Sequence, residues 1–439
     1  MFDAISGRHA LLLQGPMGPF FWRLKKELLQ ADCRVSKVNF NFADFVFYPD
    51  RGAIDYRGTL RDWSDYFRSL LKDRKVDIIF LFGDARPYHL CVIEIALSMA
   101  IPVYCFEEGY LRPDYITLER CGVNGFSNLP RNPEFYLEHQ LVDVPEPKHV
   151  KSGFSCAAWY AIAYCFFMRL FALRYPHYQH HRSLLAIPEG LYWIRAAFRK
   201  HWFGLTERKW LPRLSGQLSN RYFFVPLQVH NDAQIYHHSK YESIEAFIEE
   251  VISSFADHAQ QDQYLVIKHH PLDRGYRDYT RKIKRLARQY NVQQRVIYVH
   301  DLHLPTLLKH ARGSVMINST VGLSSILHQT PVKTLGDAVF DMPGLVSQSD
   351  LKSFWQDQGE IDFKLYQHFR NWLLTFNQLN GNFYKPIEGA ANPTGVVWDI
   401  SEPFKAVFKQ SLADVVLLRR RLDRPALANE RGAAEKKAS

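Results

Sequence analysis

The chain is short of several features that would settle its class at once. Six cysteines occur in 439 residues, namely Cys33, Cys91, Cys105, Cys121, Cys156 and Cys165, and no two form a Cys-x-x-Cys pair. Such cysteines, some of them inside apolar runs, are expected as reduced core residues and not as a disulfide framework. The opening MFDAISGRHALLLQGP has no cationic stretch before its short apolar run, so no signal peptide is expected. The longest apolar stretch, Cys156 to Met168, ends at Arg169. A membrane-spanning helix needs about 20 apolar residues, so no crossing is expected. The loop Gly15-Pro16-Met17-Gly18-Pro19-Phe20 matches neither GxGxxG nor GxxxxGK, which removes support for a dinucleotide or P-loop function. These absences point to a cytoplasmic protein.

What is present belongs to a folded protein. Hydrophobic residues make up 47% of the chain and charged residues 23%, an ordinary balance. The length exceeds what one core usually serves, so two domains are expected. The net charge of +10 is unevenly spread. Between Lys151 and Arg213 stand ten Lys or Arg residues against two acids, Glu189 and Glu207. The same stretch holds Trp159, Tyr160, Phe166, Phe167, Tyr192, Trp193, Trp202 and Trp210. Basic and aromatic together suit an anionic partner such as a membrane surface or a lipid head group. No RNA- or DNA-binding module is visible, and nucleic acid is not expected as a partner.

Periodicity predicts two α/β halves. In the first, strands are expected at Ala10–Gln14, Arg34–Phe40, Val76–Phe82 and Val103–Phe106, with helices at Phe20–Gln30 and His89–Ala100. In the second, strands are expected at Tyr222–Leu227, Tyr264–Lys268, Val296–Val299, Val315–Ile317 and Val332–Leu335. Helices at Tyr241–Phe255, Arg277–Tyr290, Leu304–His310 and Val321–His328 separate them. Alternation of this kind argues for parallel sheets covered by helices. Two such Rossmann-like units facing across a cleft make the GT-B architecture, with ligands at the carboxyl ends of the strands. The expected division is 1–150 as an N-terminal Rossmann-like domain and 151–215 as a helical basic aromatic insertion. Residues 216–345 follow as the C-terminal Rossmann-like domain, then 346–425 as a helical segment packing back across the junction and 426–439 as a disordered tail.

Three strand ends gather chemistry. Glu107 and Glu108 follow a strand directly, with Arg112 four residues on; paired carboxylates and a nearby guanidinium suit a reacting sugar that carries its own carboxylate. Lys268-His269-His270-Pro271 closes an apolar strand, where a histidine can donate to a phosphate and protonate a leaving group. Adjacent histidines lack common zinc spacing. Asn318-Ser319-Thr320 stands where a strand turns into a helix, and hydroxyls with free N–H groups there can hold a phosphate. Each motif alone also has a plain structural explanation: an exposed acidic turn, a loop histidine, an ordinary helix cap. No Asp-x-Asp occurs. Metal-dependent transferases of nucleoside diphosphate sugars often use such acids, whereas a CMP-sugar has one phosphate that N–H groups, His and Lys can hold. No metal and no cofactor are therefore expected.

Taken in order, EEGYLRPDYITLE (Glu107–Glu119), YPHYQHHR (Tyr175–Arg182), FFVPLQVHNDAQI (Phe223–Ile235), IKHHPLDRG (Ile267–Gly275) and NSTVGLSS (Asn318–Ser325) resemble the KpsS/LipB type of capsular polysaccharide β-Kdo transferases. The resemblance runs from the Gly15–Phe20 loop to about Pro343. It implies a CMP-β-Kdo donor, a lysophosphatidylglycerol-type anionic acceptor, retention at the anomeric carbon, and work beside other capsule biosynthesis proteins at the inner face of the cytoplasmic membrane. Related modules carry Glu-Asp-Gly-aromatic where this chain has Glu107-Glu108-Gly109-Tyr110, which implies Glu108 as nucleophile, with Glu107 or an acid elsewhere as the alternative. His270-Pro271 matches the His-Pro motif of CMP-sugar transferases, and Ser319-Thr320 matches their phosphate-binding hydroxyl pair. Lys268 and Asn318 are also expected at the donor, and Arg112 at the Kdo carboxylate. Arg174, His180, His181 and Arg182 are expected near the acceptor phosphate. Another donor on the same scaffold, CMP-sialic acid or CDP-glycerol, is the first alternative, and a non-enzymatic capsule export or scaffold protein the second.

Overall fold

The computed structural model describes residues 5–150, 153–180 and 186–398. The expected tail, 426–439, and the stretch from 399 to it lie outside the described residues. In chain order the first elements are β1 (His9–Leu12), α1 (Phe20–Gln30), β2 (Arg34–Asn39), α2 (Phe42–Phe47), β3 (Ile54–Asp55), α3 (Trp63–Arg74), β4 (Ile78–Phe82), α4 (Pro87–Ser98), β5 (Val103–Glu108) and β6 (Tyr115–Arg120). Helices α5 (Pro133–Glu138), α6 (Phe154–Leu170), α7 (Ala186–Thr206) and α8 (Trp210–Ser215) fill the middle. Then come β7 (Tyr222–Pro226), α9 (Ala233–His238), α10 (Ile244–His258), β8 (Tyr264–Lys268), α11 (Thr280–Gln289), β9 (Val296–Val299), α12 (Leu304–His310) and β10 (Gly313–Met316). The remainder is α13 (Val321–Leu327), β11 (Val332–Thr334), α14 (Leu351–Phe354), α15 (Phe363–Phe376) and β12 (Gln378–Asn380).

Two units result. Of the described residues, one comprises those within 5–128, 141–186 and 371–398, the other 129–140 and 187–370. The stretch expected as one insertion, 151–215, therefore contributes α6 to the first unit and α7 and α8 to the second. Of 346–425, α14 and α15 are helical. Beyond them β12 enters the first unit's sheet and 381–398 has no regular element, as Gly381, Pro386, Gly389, Pro393 and Gly395 require.

In the first unit the strand order is β12-β6-β5-β4-β1-β2-β3. Strands β5-β4-β1-β2-β3 are parallel, and β6 and β12 extend the sheet antiparallel. Alternation along each strand fills both faces. Ala10, Leu12, Ile78 and Phe80 pack with Phe20, Leu24 and Leu28 of α1. Leu11, Leu13, Ile79 and Leu81 pack with Trp63, Phe67 and Leu71 of α3 and with Val92, Ile93 and Ala96 of α4. The second unit has β11-β10-β7-β8-β9, all parallel. Its α10 buries Ile244, Phe247, Ile248, Val251, Ile252 and Phe255, the i, i+3, i+4, i+7 spacing of one helix face, against Phe223, Val225, Leu265 and Ile267. Ser243 caps that helix, its hydroxyl accepting from the Ala246 N–H at 3.2 Å. Truncating a fully buried ring such as Phe223 is expected to cost about 3–5 kcal/mol.

Both units therefore carry the doubly wound order in which strands run outward on either side of the first. The switch points fall between β1 and β4 and between β7 and β10, and the carboxyl ends there are where such sheets take ligands. These are the two Rossmann-like units that GT-B proteins combine. Among the described residues no helix is long and apolar enough to cross a membrane. None of the six cysteines is in a disulfide, and Cys33, Cys105 and Cys121 are buried.

Candidate functional site

In the first unit the switch point is bridged by Arg86, whose Nη1 donates to the Gly15 carbonyl at 2.9 Å. The guanidinium is buried over the Phe82 ring, 5.0 Å from its centroid. Beside it, β5 ends in Glu107 and Glu108, both half-buried. Burial, more than any neighbour, pushes the Glu107 carboxyl up to about 7. The Glu108 N–H, donating at 3.0 Å, and the Arg86 charge oppose that rise, while Glu108 and Asp84 add to it. Glu108 Oε1 accepts from the Tyr384 hydroxyl at 2.9 Å, and its carbonyl accepts from Thr117 Oγ1 at 3.0 Å.

The turn after the pair is tightly held. A Cβ on Gly109 would lie 2.1 Å from the Tyr115 carbonyl oxygen, so no other residue fits there. Gln378 Oε1 on β12 accepts from the Tyr110 and Leu111 N–H groups at 2.9 and 3.3 Å. Arg112 is exposed, its Nε donating to the Gly109 carbonyl at 3.2 Å. Residues expected at an acceptor lie elsewhere in this unit. Arg174 pairs with Asp55 at 2.9 Å and covers the rings of Phe42 and Phe45. The half-buried His180 ring lies 5.9 Å from that of Tyr178 and 6.4 Å from that of Tyr164. His181 and Arg182 lie outside the described residues.

In the second unit the ends of β7, β8, β9 and β10 gather cations and imidazoles. Lys268 is buried, and that burial lowers its pKa although Asp301 opposes the effect. His269 turns inward; burial drives its pKa down to about 3, and its Nδ1 shares a hydrogen with the Tyr298 hydroxyl at 2.6 Å. His270, half-buried, faces the other way and caps the Pro271–Asp273 turn, its Nδ1 accepting from the Leu272 N–H at 3.2 Å. Its Nε2 then carries the hydrogen of the neutral ring, which makes that atom a donor. Pro271 is exposed on the same turn.

Across the switch point, Asn318 is committed to structure. Its Nδ2 donates to the Gln234 and His238 carbonyls at 3.0 and 3.4 Å, and Gln228 Nε2 donates to its Oδ1 at 3.0 Å. Ser319 and Thr320 are half-buried where the short α13 begins, with Ser319 Oγ accepting from the Val321 N–H at 3.3 Å.

One pair escaped the sequence reading. Asp273, fully buried, accepts from the His230 N–H at 2.8 Å and bonds its ring Nδ1 at 2.5 Å. A carboxylate on Nδ1 fixes the ring and its tautomer and leaves Nε2 as the working atom. His230 lies in the loop after β7, beside the switch point, within FFVPLQVHNDAQI. The signal lay in Asp273, three residues after His270. A shallow depression of about 430 Å³ lined by Asn220, Lys309, Arg312 and His328 lies at the amino ends of the strands, away from all of these groups.

The family model described as capsule polysaccharide biosynthesis protein matches residues 77–384. The chain is 41% identical over 382 residues to the capsule polysaccharide export protein KpsS of Escherichia coli, covering 87% of this chain and 98% of that one. The chain belongs to this capsule polysaccharide biosynthesis family. Within the family it is 39% identical over 393 residues to the capsule polysaccharide modification protein LipB of Neisseria meningitidis serogroup A, covering 87% and 93%. Among solved structures, KpsC of Thermosulfurimonas dismutans, a beta Kdo 2,7 transferase, matches with a TM-score of 0.45 at 12% identity, covering 94% of this chain and 99% of that one. A likeness that distant carries no argument about chemistry.

Proposed function

We propose that this capsule biosynthesis protein is a retaining, metal-independent glycosyltransferase that moves Kdo from CMP-β-Kdo to a lysophosphatidylglycerol-type lipid, starting the poly-Kdo linker of the capsule. It would do so as a peripheral protein on the inner face of the cytoplasmic membrane, beside other capsule proteins. The observation that most supports this is the carboxylate pair ending β5, with Glu107 titrating near 7 and Glu108 oriented by Tyr384.

In this reading the donor phosphate is held by the Ser319 and Thr320 hydroxyls and the Lys268 charge, and Arg112 pairs with the Kdo carboxylate. His270 Nε2 donates to the departing phosphate oxygen as the anomeric C–O bond breaks. Glu108 forms a bond to the anomeric carbon from the opposite face, and the acceptor hydroxyl then displaces it, so two inversions give retention. Glu107, with a proton affinity near neutrality, suits the transfer of the acceptor's proton. Arg174, His180, His181 and Arg182 are assigned to the lipid phosphate.

The test is product mass after mixing the protein with CMP-Kdo, generated in situ, and a fluorescent lysophosphatidylglycerol. Gain of one Kdo is the expected result. CMP binding without Kdo transfer would move the donor to CMP-sialic acid or CDP-glycerol, and absence of both would leave the export or scaffold role.

A further inference from the structure

Helix α7 has two faces with different fates. One is clamped onto the loop that carries the His-Pro motif. The Tyr192 ring lies 4.8 Å from Tyr276, and a Cβ on Gly275 would meet the Tyr192 carbonyl oxygen at 2.2 Å. Arg199 donates to the carbonyls of Arg274 and Arg277 at 3.0 and 3.2 Å and pairs with Asp278 at 2.7 Å. Phe203 stacks on His300 with ring centroids 3.5 Å apart.

The opposite face is exposed among the described residues. Ile194, Phe198, Trp202 and Leu205 are 69%, 68%, 54% and 59% exposed, and their spacing of four, four and three residues lines them up in one stripe. The exposed Arg195 flanks it, and the exposed Arg208 and Lys209 stand just beyond the helix's last turn. From Tyr192 to Trp210 the one acid is Glu207, and it is buried against His300 at 2.6 Å. Helix α6 also exposes an apolar stripe, Phe154, Trp159, Ile162, Phe166 and Leu170, but the one cation within it is the half-buried Arg169. Nothing there selects a partner, whereas α7 combines apolar rings with charge of one sign.

We propose that this face of α7 docks on an anionic lipid bilayer. Phe198 and Trp202 enter the boundary between head groups and acyl chains, and the flanking cations meet lipid phosphates, as in interfacial amphipathic helices. The inference rests on the lipid-acceptor reading for its purpose. The clamped face would hold the His270 loop about one helix diameter, roughly 10 Å, from the bilayer.

The experiment is co-sedimentation of the full chain with phosphatidylcholine vesicles, with and without phosphatidylglycerol. Wild type is expected to bind the anionic vesicles and to lose binding as salt rises. The double variant Phe198→Glu/Trp202→Glu, at two exposed positions and with an unchanged thermal melt, should reduce the bound fraction by roughly tenfold or more. Arg195→Ala/Lys209→Ala should reduce it severalfold on anionic vesicles alone. Undiminished binding by the double variant overturns the proposal. So does a drop in the wild type's oligomeric mass, in lipid-free buffer, on making the same substitutions, because the face then belongs to a second copy of the chain. Failure of the functional reading is distinguishable: wild type that binds vesicles through this face yet transfers no sugar sinks the activity and leaves the surface standing. With a water-soluble short-chain acceptor the double variant should keep wild-type transfer.

Discussion

Each unit closes a parallel strand with two adjacent ionisable residues, Glu107-Glu108 at the end of β5 and His269-His270 directly after β8. In both, one member sits in surroundings that disfavour its charged form and the other is fixed by a hydrogen bond at the strand's end. The outcomes have opposite signs. Withdrawal from water raises the Glu107 carboxyl to about 7 and lowers the His269 imidazole to about 3, so each is driven towards its neutral form. At the first strand end it is Glu108, held by Tyr384, that offers acceptor oxygens suited to a carbon that becomes cationic. The second offers N–H donors and a lysine suited to an oxygen that becomes anionic. One fold, used twice, thus presents groups of opposite chemical character at its strand ends, and the function proposed above draws on both.

The largest effect should come from the first strand end. Glu108→Gln keeps the shape and removes the nucleophile, so transfer should fall by about 10³-fold or more while CMP binding is retained. Full activity in that variant would end the assignment and break the division of labour between the units.

Smaller losses are expected at the second strand end. His270→Ala, or His230→Gln at the pair with Asp273, should lower kcat/KM for the donor by about 10²-fold, with thermal stability little changed. If His269→Ala alone impairs the chemistry and His270→Ala does not, the inward and outward roles have been exchanged.

The smallest effect is on stability and sharpens the contrast of sign. The folded chain keeps a proton on Glu107 between its ordinary value of 4.5 and about 7, where the unfolded chain has lost it. Stability therefore falls as pH rises through that window. For His269 the unfolded chain gains a proton below its ordinary 6.5 and the folded chain does not until about 3, so stability falls as pH drops. Glu107→Gln should flatten the fall in melting temperature between about pH 4.5 and 7 by a few degrees and leave the loss below pH 4.5 to His269. An unchanged slope over that window would show that Glu107 is not the group held protonated.

Much of the fold was legible because its strands are apolar runs bounded by turns. Phe20–Gln30, Tyr264–Lys268, Val296–Val299 and Leu304–His310 were predicted with the bounds observed. The strands missed have no such pattern. Ile54–Asp55 is two residues long, and Gln-Leu-Asn of β12 is polar at both ends and becomes a strand by pairing with β6, more than 250 residues earlier. Tyr115–Arg120 mixes polar and apolar residues and follows Pro113 closely, so it read as part of a motif and not as an edge of the sheet.

The same limit governs the site. Local order alone determined that Glu107, Glu108, Lys268, His270, Ser319 and Thr320 stand at strand ends, because hydrophobic periodicity marks where each strand stops. Tertiary structure decided which of those groups keep their charge and what holds them. Tyr384 reaches Glu108, Gln378 pins the Gly109 turn, and Asp273 orients His230. It also decided that α7 turns Phe198 and Trp202 outward while Phe203 meets His300. Those partners are distant in the chain, and burial and hydrogen bonding depend on three-dimensional proximity that no local pattern encodes.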